Sequence, residues 1–202
     1  MFATEEIDNA ELDLSGVTRL WKQVFQASKG QASRRLYTCP LSQAFTTTYS
    51  MDFVNETNHS RSEHRAAWMQ HLHISDDRAS TLGSLTTDRQ QLEDTAKCDI
   101  RSIHKVFSTI SHQRSFIILN SGNYGLVPGF VVEGDVCGVI FGTRCPFILR
   151  KTDEEDHYKL VGGAWVLSRH TLGVNGNIRM GKYPEYDDWQ ETGAQEQDIY
   201  IC

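Results

Sequence analysis

The sequence contains no apolar run that approaches the roughly 20 residues of a membrane-spanning helix. It also shows no positively charged and then apolar leader, because residues 1–14 are rich in acidic side chains. These two absences predict a protein that stays in the cytoplasm and has no membrane partner.

An excess of positive charge is also missing. The chain has 20 Lys and Arg residues against 26 Asp and Glu residues, which gives a formal net charge of −6. A protein that binds nucleic acid generally needs a basic face to neutralise phosphates. The composition therefore predicts that nucleic acid is not a partner.

No CxxC pair occurs in the sequence, and the number of cysteines is odd. The five are Cys39, Cys98, Cys137, Cys145 and Cys202. Cys137 and Cys145 lie in predicted core strands. This usage is typical of reduced thiols in an intracellular protein rather than of a disulfide framework.

The densest apolar sequence lies between Arg114 and Val166, where turn residues cut it into short pieces. The pieces are residues 115–120, 124–128, 136–142, 145–150 and 158–166. Short runs rich in Val, Ile, Phe and Tyr predict strands, and the spacing between them leaves no room for crossover helices. The expected core residues are Phe116, Ile118, Leu126, Val136, Ile140, Phe147, Leu149, Leu160 and Val166. A last strand is expected within residues 198–202.

Helical spacing dominates the earlier part of the chain. Apolar residues three and four apart predict helices over about 15–30, 41–52, 61–73 and 88–112, after a frayed lead-in over 1–13. The predicted fold class is therefore α+β. Amino-terminal helices (residues 1–112) pack beside a small antiparallel β-barrel (residues 113–202) of SH3-like or related type.

The strand region also carries a family resemblance. Its motifs, in order, are Tyr124-Gly125-Leu126-Val127-Pro128, Gly134-Asp135-Val136, a turn centred on Gly142, Pro146-Phe147-Ile148-Leu149-Arg150, and Tyr158-Lys159-Leu160-Val161-Gly162. This order resembles the carboxy-terminal region of fungal heterokaryon-incompatibility (HET) proteins, and Glu196–Cys202 is similar to the way some of them end. The chain departs from the pattern after Gly162, where it continues as Gly163-Ala164-Trp165-Val166.

The resemblance implies a role in fungal non-self recognition. The HET domain that defines the family lies upstream of this region in the relatives, and the sequence shows no counterpart of it. We therefore expect an accessory or interaction region of a truncated relative, with a protein partner that is either a HET domain or a second copy. The alternative is a self-standing enzyme with a Cys/His site.

Four side chains are candidates for partner binding. Trp21 and Phe25 lie on the apolar face of the first helix, which either packs on the other helices of this chain or is left partly exposed by the missing domain. Arg144 and Arg150 could meet an anionic group along one sheet edge, although such arginines more often pair with Asp or Glu nearby.

Several patterns suggest a metal site or a phosphate-binding loop, and none is complete. His59, His64, His71 and His73 cluster without a carboxylate or cysteine set beside them, which favours a solvated polar helix over a metal site. The glycines between 122 and 134 do not lead into the Lys-Ser/Thr helix start of a phosphate-binding loop. We therefore expect no metal and no cofactor.

The sequence also lacks a complete pattern for a Cys/His nucleophilic site. Cys137 and Cys145 bracket a turn, and His157 or His170 could supply a base. A catalytic thiol needs partial exposure and a base within hydrogen-bonding reach, and the pattern favours Cys137 as a small buried hydrophobe. We therefore expect no catalytic residue and no enzymatic activity.

Overall fold

The computed structural model describes residues 2–3, 14–29, 37, 41–51, 67–68, 70–72, 100–143, 145–167 and 196–202. The helices in these ranges are α1 (Leu14–Lys29), α2 (Leu41–Tyr49) and α3 (Ile100–Ser111). The strands are β1 (Phe2–Ala3), β2 (Arg114–Ile118), β3 (Tyr124–Pro128), β4 (Val136–Gly138), β5 (Phe147–Lys151), β6 (His157–Gly163), β7 (Trp165–Val166) and β8 (Tyr200–Ile201). None of the described helices combines the length and the apolar character needed to cross a membrane.

Helix α1 forms as its apolar periodicity predicts. Val17, Leu20, Trp21 and Val24 recur at spacings of three and four and are all buried, whereas Lys22 between them is exposed. The helices predicted near 41–52 and 88–112 are confirmed over the described residues as α2 and α3. The expected helix over 61–73 is described only at positions 67–68 and 70–72, where the backbone is helical apart from a turn at Leu72.

The first sheet has the strand order β1-β2-β3-β7, and all its pairs are antiparallel. Its centre is the β2–β3 hairpin, in which Phe116 pairs with Leu126. The expectation of a frayed lead-in over residues 1–13 is wrong for Phe2 and Ala3. These two residues pair with Ile118 and Ile117 and cover the free edge of β2.

The second sheet has the order β4-β5-β6-β8. Its first two pairs are antiparallel, with a bulge between Ile148 and Leu149, as the short connections predict. The pair β6–β8 is parallel, which differs from the expected antiparallel pairing. The physical reason is that residues 168–195 separate β7 from β8, so no tight hairpin fixes the direction of β8.

The stretch 158–166, expected as one strand, serves both sheets. It pairs with β5 as far as Gly163, and it pairs with β3 from Trp165 onward. Buried Ala164 lies between the two segments, and its N–H donates to the Pro146 carbonyl at 2.8 Å. The chain therefore passes directly from the second sheet to the first at this point.

Two cores cover the opposite faces of the first sheet. Phe116, Ile118 and Tyr124 pack with the helices, in one cluster with residues such as Trp21 and Phe45. The intervening Ile117 and the neighbouring Val127 pack with Ile148 of the second sheet. The alternation of side chains along a strand produces this division, and the described elements form three layers, namely helices, first sheet and second sheet.

This layering confirms part of the expected core and corrects part of it. Phe116, Ile118, Leu126 and Leu149 are buried, as expected. Val136 and Leu160 are 45% and 50% exposed, because they flank Leu149 on the outer face of the second sheet. The α+β class is confirmed, and the described strands form two sheets rather than one closed barrel.

Candidate interaction surface

The apolar face of α1, which the sequence offered as a partner-binding surface, is covered by the chain itself. Trp21 is only 5% exposed, and its ring lies 5.2 Å from that of Phe45 and 5.4 Å from that of Phe25. Phe25 is half-buried against the same cluster. Of the two alternatives for this face, packing within the chain is the one observed for Trp21, since α2 and the first sheet provide the surface that these rings need.

Arg150 is engaged with its own chain. Its Nε donates to Asp135 Oδ1 at 2.8 Å, and its Nη2 donates to Asp135 Oδ2 at 2.8 Å. The hydrogen bonds from Arg150 hold the pKa of the Asp135 carboxyl below its ordinary value, although desolvation acts against them. The alternative of local pairing with an acid is thus confirmed for Arg150, whereas Arg144 lies outside the described residues.

This ion pair fixes the turn that precedes β4. Asp135 Oδ2 also accepts from the Val132 N–H at 3.0 Å, and the Asp135 N–H donates to the Val132 carbonyl at 3.2 Å. Arg150 Nη2 donates to the Phe130 carbonyl at 3.0 Å. Gly134 has a φ of 97°, a conformation that other residues rarely adopt. The turn 129–135 is therefore held at several points by hydrogen bonds.

A second ordered turn follows β4. Thr143 donates through its N–H and its hydroxyl to the Ile140 carbonyl, at 3.1 Å and 2.6 Å. The same hydroxyl lies 3.2 Å from the Cys145 carbonyl. Gly142 has a φ of 86° and closes the turn. Hydrogen bonds thus fix the backbone of the turns at both ends of β4.

These two turns and β4 display apolar side chains to solvent. The exposed ones are Phe130 (63%), Val132 (49%), Val136 (45%), Val139 (52%) and Phe141 (57%). We call these five residues the β4 surface. Scattered exposed apolar residues are ordinary, but five within twelve consecutive positions on a hydrogen-bonded backbone make this segment a candidate interface.

Among the described residues, the structure does not bring Cys137 near His157, one Cys/His pair of the enzyme alternative. Cys137 pairs with Ile148 on β5, which in turn pairs with Gly162 on β6. His157 lies at the opposite end of β6 from Gly162, roughly 17 Å along the strand at ~3.3 Å per residue. Burial raises the pKa of the Cys137 thiol to about 11, so a thiolate is disfavoured there.

His157 and Cys145 have other neighbours. His157 Nδ1 lies 2.8 Å from the Glu155 carbonyl, and its ring stacks on Tyr200 with centroids 4.9 Å apart. The Cys145 sulfur is half-buried beside Gly163. His170 falls outside the described residues.

Of the histidine cluster, only His71 is described. Its Nε2 lies 3.3 Å from the Leu14 carbonyl and 3.4 Å from the Thr18 hydroxyl, and its ring meets that of Trp68 edge-on. His59, His64 and His73 fall outside the described residues. Within the described ranges, no three His, Cys, Asp or Glu side chains come together in a way that could hold a metal ion.

Sequence reasoning missed the β4 surface because exposed and buried apolar residues look alike in a short run. The stretch 136–142 was expected to be a strand of the core, yet only Val136–Gly138 forms the strand. Two signals were available. Gly134 and Gly142 bracket the segment, and the apolar residues beside them continue into the turns, where a side chain has little chance of being covered.

Comparison with known proteins places the chain in a family. A search of curated proteins and a search of solved structures each gave no significant match. The family model described as the Het-6 beta-barrel domain matches residues 11–168, which is more than half of the chain. The matched range includes α1, the β2–β3 hairpin and the β4 surface. The chain therefore belongs to the Het-6 beta-barrel domain family and is related to heterokaryon-incompatibility proteins.

Proposed function

We propose that this chain is a protein-binding region that acts in fungal non-self recognition and has no enzymatic activity of its own. The observation that carries the proposal is the β4 surface, with its exposed apolar side chains on two hydrogen-bonded turns. Family membership supplies the biological setting, since heterokaryon incompatibility is the context in which such regions occur.

The proposed partner is a HET domain supplied by another chain. Relatives that the sequence resembles carry that domain together with this region, so a docking surface between the two is a simple expectation. Phe130 and Phe141 are the natural anchors, because aromatic side chains dominate the binding energy at protein interfaces. Because hydrogen bonds already fix the backbone of these turns, binding loses less conformational entropy, and this favours affinity.

The absence of enzymatic activity is proposed on chemical grounds. Burial raises the pKa of the Cys137 thiol to about 11, and Cys137 lies far along the sheet from His157. His157 is occupied by the Glu155 carbonyl and the Tyr200 ring. A nucleophile with its base and an orienting group is what an acyl-transfer or hydrolytic site needs.

The experiment compares binding of a purified HET domain to the wild-type chain and to a Phe130→Ser, Phe141→Ser double variant, by isothermal titration calorimetry. Loss of two central aromatic anchors should weaken binding about tenfold or more. Leu41→Ser is the matched control, because Leu41 is also an exposed apolar residue but lies on α2 in the helical layer.

The outcomes separate the alternatives. Sedimentation velocity of the wild-type chain and of the double variant at increasing concentration reveals whether a second copy occupies the β4 surface instead, because only an association through that surface is weakened by the two substitutions. The proposal is wrong if the wild-type chain does not bind the domain and shows no self-association that the double variant weakens. It is equally wrong if the double variant and the Leu41→Ser variant bind as well as the wild type.

A further inference from the structure

The attachment of β8 to β6 differs from every other strand contact in the described structure. The Tyr200 N–H donates to the Asp156 carbonyl at 2.9 Å, and the Cys202 N–H donates to the Tyr158 carbonyl at 3.1 Å. The Gln197 side chain donates to Asp156 Oδ1. These bonds place β8 in parallel register along the outer edge of the second sheet, with Tyr200 beside His157.

The side chains of β8 are largely exposed, and half-buried Ile199 precedes the strand. Tyr200 is 64% exposed and Ile201 is 47% exposed, and Cys202 is exposed as well. The main side-chain contact is the stack of the Tyr200 ring on the His157 ring, at 4.9 Å and 19° between planes. A strand held by a few solvent-accessible hydrogen bonds belongs to the low-stability end of a fold and opens readily.

Opening of β8 would expose the edge of β6. An uncovered strand edge presents unpaired N–H and C=O groups, which accept another extended segment. The edge recognises backbone at alternate positions, and His157 offers one ring for an aromatic side chain. A segment with the chemistry of Glu196–Cys202 fits this edge, because that segment already occupies it.

A second copy of the chain carries this same segment. Residues 168–195 lie between β7 and β8 in the sequence, so the hold on β8 comes from the β6 edge rather than from a tight turn. We propose that the β6 edge is an acceptor site for a parallel strand, and that β8 of a second copy of this chain fills it by strand exchange. Exchange of an identical element is a low-cost route to a dimer, because it re-forms the contacts made within one chain.

This inference does not rest on the proposed function. It concerns β6 and β8, whereas the β4 surface lies at the opposite edge of the same sheet. Phe130→Ser and Phe141→Ser should therefore leave strand exchange unchanged, and disruption of β8 should leave HET-domain binding unchanged.

A disulfide trap tests the exchange in full chains. The register that aligns His157 with Tyr200 and Tyr158 with Ile201 places Lys159 opposite Cys202. Neighbouring strands lie about 4.8 Å apart, which is within the Cα separation that a disulfide bridges. An acceptor chain carries Lys159→Cys, Cys202→Ser and Tyr200→Pro, and a donor chain is wild type. A 159–202 disulfide in the mixture joins two copies, and mass spectrometry of the tryptic peptides identifies it among the other cysteines.

Two proline variants of the donor provide the specificity control. Tyr200→Pro removes the N–H that bonds to the Asp156 carbonyl, whereas Ile201→Pro removes an N–H that points away from β6 by the alternation of the ladder. The yield of the 159–202 heterodimer should fall by up to about fivefold for Tyr200→Pro, the factor that corresponds to one backbone hydrogen bond of ~1 kcal/mol, and it approaches this limit because β8 opens readily from the β6 edge of its own chain. It should fall much less for Ile201→Pro.

A single chain carrying Lys159→Cys alone tests the register in cis, because its new thiol should form a disulfide with Cys202 of the same chain. Failure of this intramolecular disulfide overturns the proposal, since the β6–β8 register would then be different. An intramolecular disulfide without any heterodimer overturns it as well, because the edge would then accept β8 only from its own chain. Equal heterodimer yields from the two proline donors would show random thiol collision and would have the same consequence.

Discussion

Removal of the negative charge at Asp135 is the most direct test of what holds the β4 surface in place. Asp135→Asn keeps the size of the side chain but places an amide where two carboxylate oxygens accept three hydrogen bonds, two from Arg150 and one from the Val132 N–H. A hydrogen bond to a charged group contributes about 1.5–3 kcal/mol. Since the Arg150 side chain is 40% exposed, solvent screens the pair, and Asn retains one acceptor. We expect a loss of about 2 kcal/mol in the free energy of unfolding.

The loss should depend on pH in a defined direction. Arg150 lowers the pKa of Asp135 in the folded chain from its ordinary value of 3.8. A carboxyl with a lowered folded pKa stabilises the protein fully above the unfolded pKa, and this contribution declines as pH falls from 3.8 through the folded pKa. Urea unfolding of wild type and Asp135→Asn should therefore show a constant gap between pH 5 and pH 7 and a narrowing gap below about pH 4.

Asp153→Asn is the matched control, because Asp153 is an exposed acid in the turn between β5 and β6. Its effect should stay within about 0.5 kcal/mol at each pH. Two results would refute the reasoning about Asp135. One is a stability change of Asp135→Asn at pH 7 that is no larger than that of the control, and the other is a gap that persists unchanged at pH 3.

Three further predictions concern the cores and the thiols. Trp21→Ala should lower the free energy of unfolding in urea by about 3–5 kcal/mol, because Trp21 is buried among aromatic rings; a loss below about 1 kcal/mol would place it on the surface. Gly162→Ala should cost about 1–3 kcal/mol in thermal unfolding, since the added Cβ would lie 2.8 Å from Pro128 Cγ, and an unchanged melting temperature would contradict that close approach. Iodoacetamide at pH 8 should label exposed Cys202 well before Cys137, whose pKa of about 11 leaves about one thiolate in a thousand; equal labelling by mass spectrometry would show that Cys137 is accessible.

The local sequence pattern was sufficient to predict the helices and strands. It did not show what covers the apolar face of each element. The spacing of Val17, Leu20 and Trp21 predicts α1 to within a residue or two of its observed bounds, because a helix buries one stripe wherever it packs. The same spacing does not say what covers the stripe. Either an outside domain or the chain's own elements could cover the α1 face, and in the structure α2 and the first sheet cover it.

The sheets show the corresponding difficulty for strands. Phe116, Ile117 and Ile118 are consecutive apolar residues, so alternation does not identify an inner face. Only the layering shows that both faces of β2 are buried, each by a different core. On the outer face of the second sheet the expectation fails in the other direction. Val136 is exposed to solvent there, although its sequence context favours burial.

The ion pair that holds the candidate surface in place joins two residues that are distant in sequence. Asp135 and Arg150 are fifteen residues apart, and they meet because β4 and β5 pair with Val136 opposite Leu149. A shift of one residue in that register would move Arg150 to the other face of the sheet. The sequence offers acids and arginines in plenty, and the register of the hairpin decides which of them form a pair.

The burial of β2 on both faces has a consequence for how the chain unfolds. Because alternate residues of one hairpin belong to the two cores, neither the helical layer nor the second sheet is complete without it. The hairpin itself is joined by a short turn near Asn123, where the Leu119 N–H donates to the Asn123 carbonyl at 2.9 Å. Strand β1, by contrast, reaches β2 from more than a hundred positions away. A local hairpin forms faster than such a distant pairing, so it is available as a template on which both cores assemble, and its loss takes both cores in one cooperative transition.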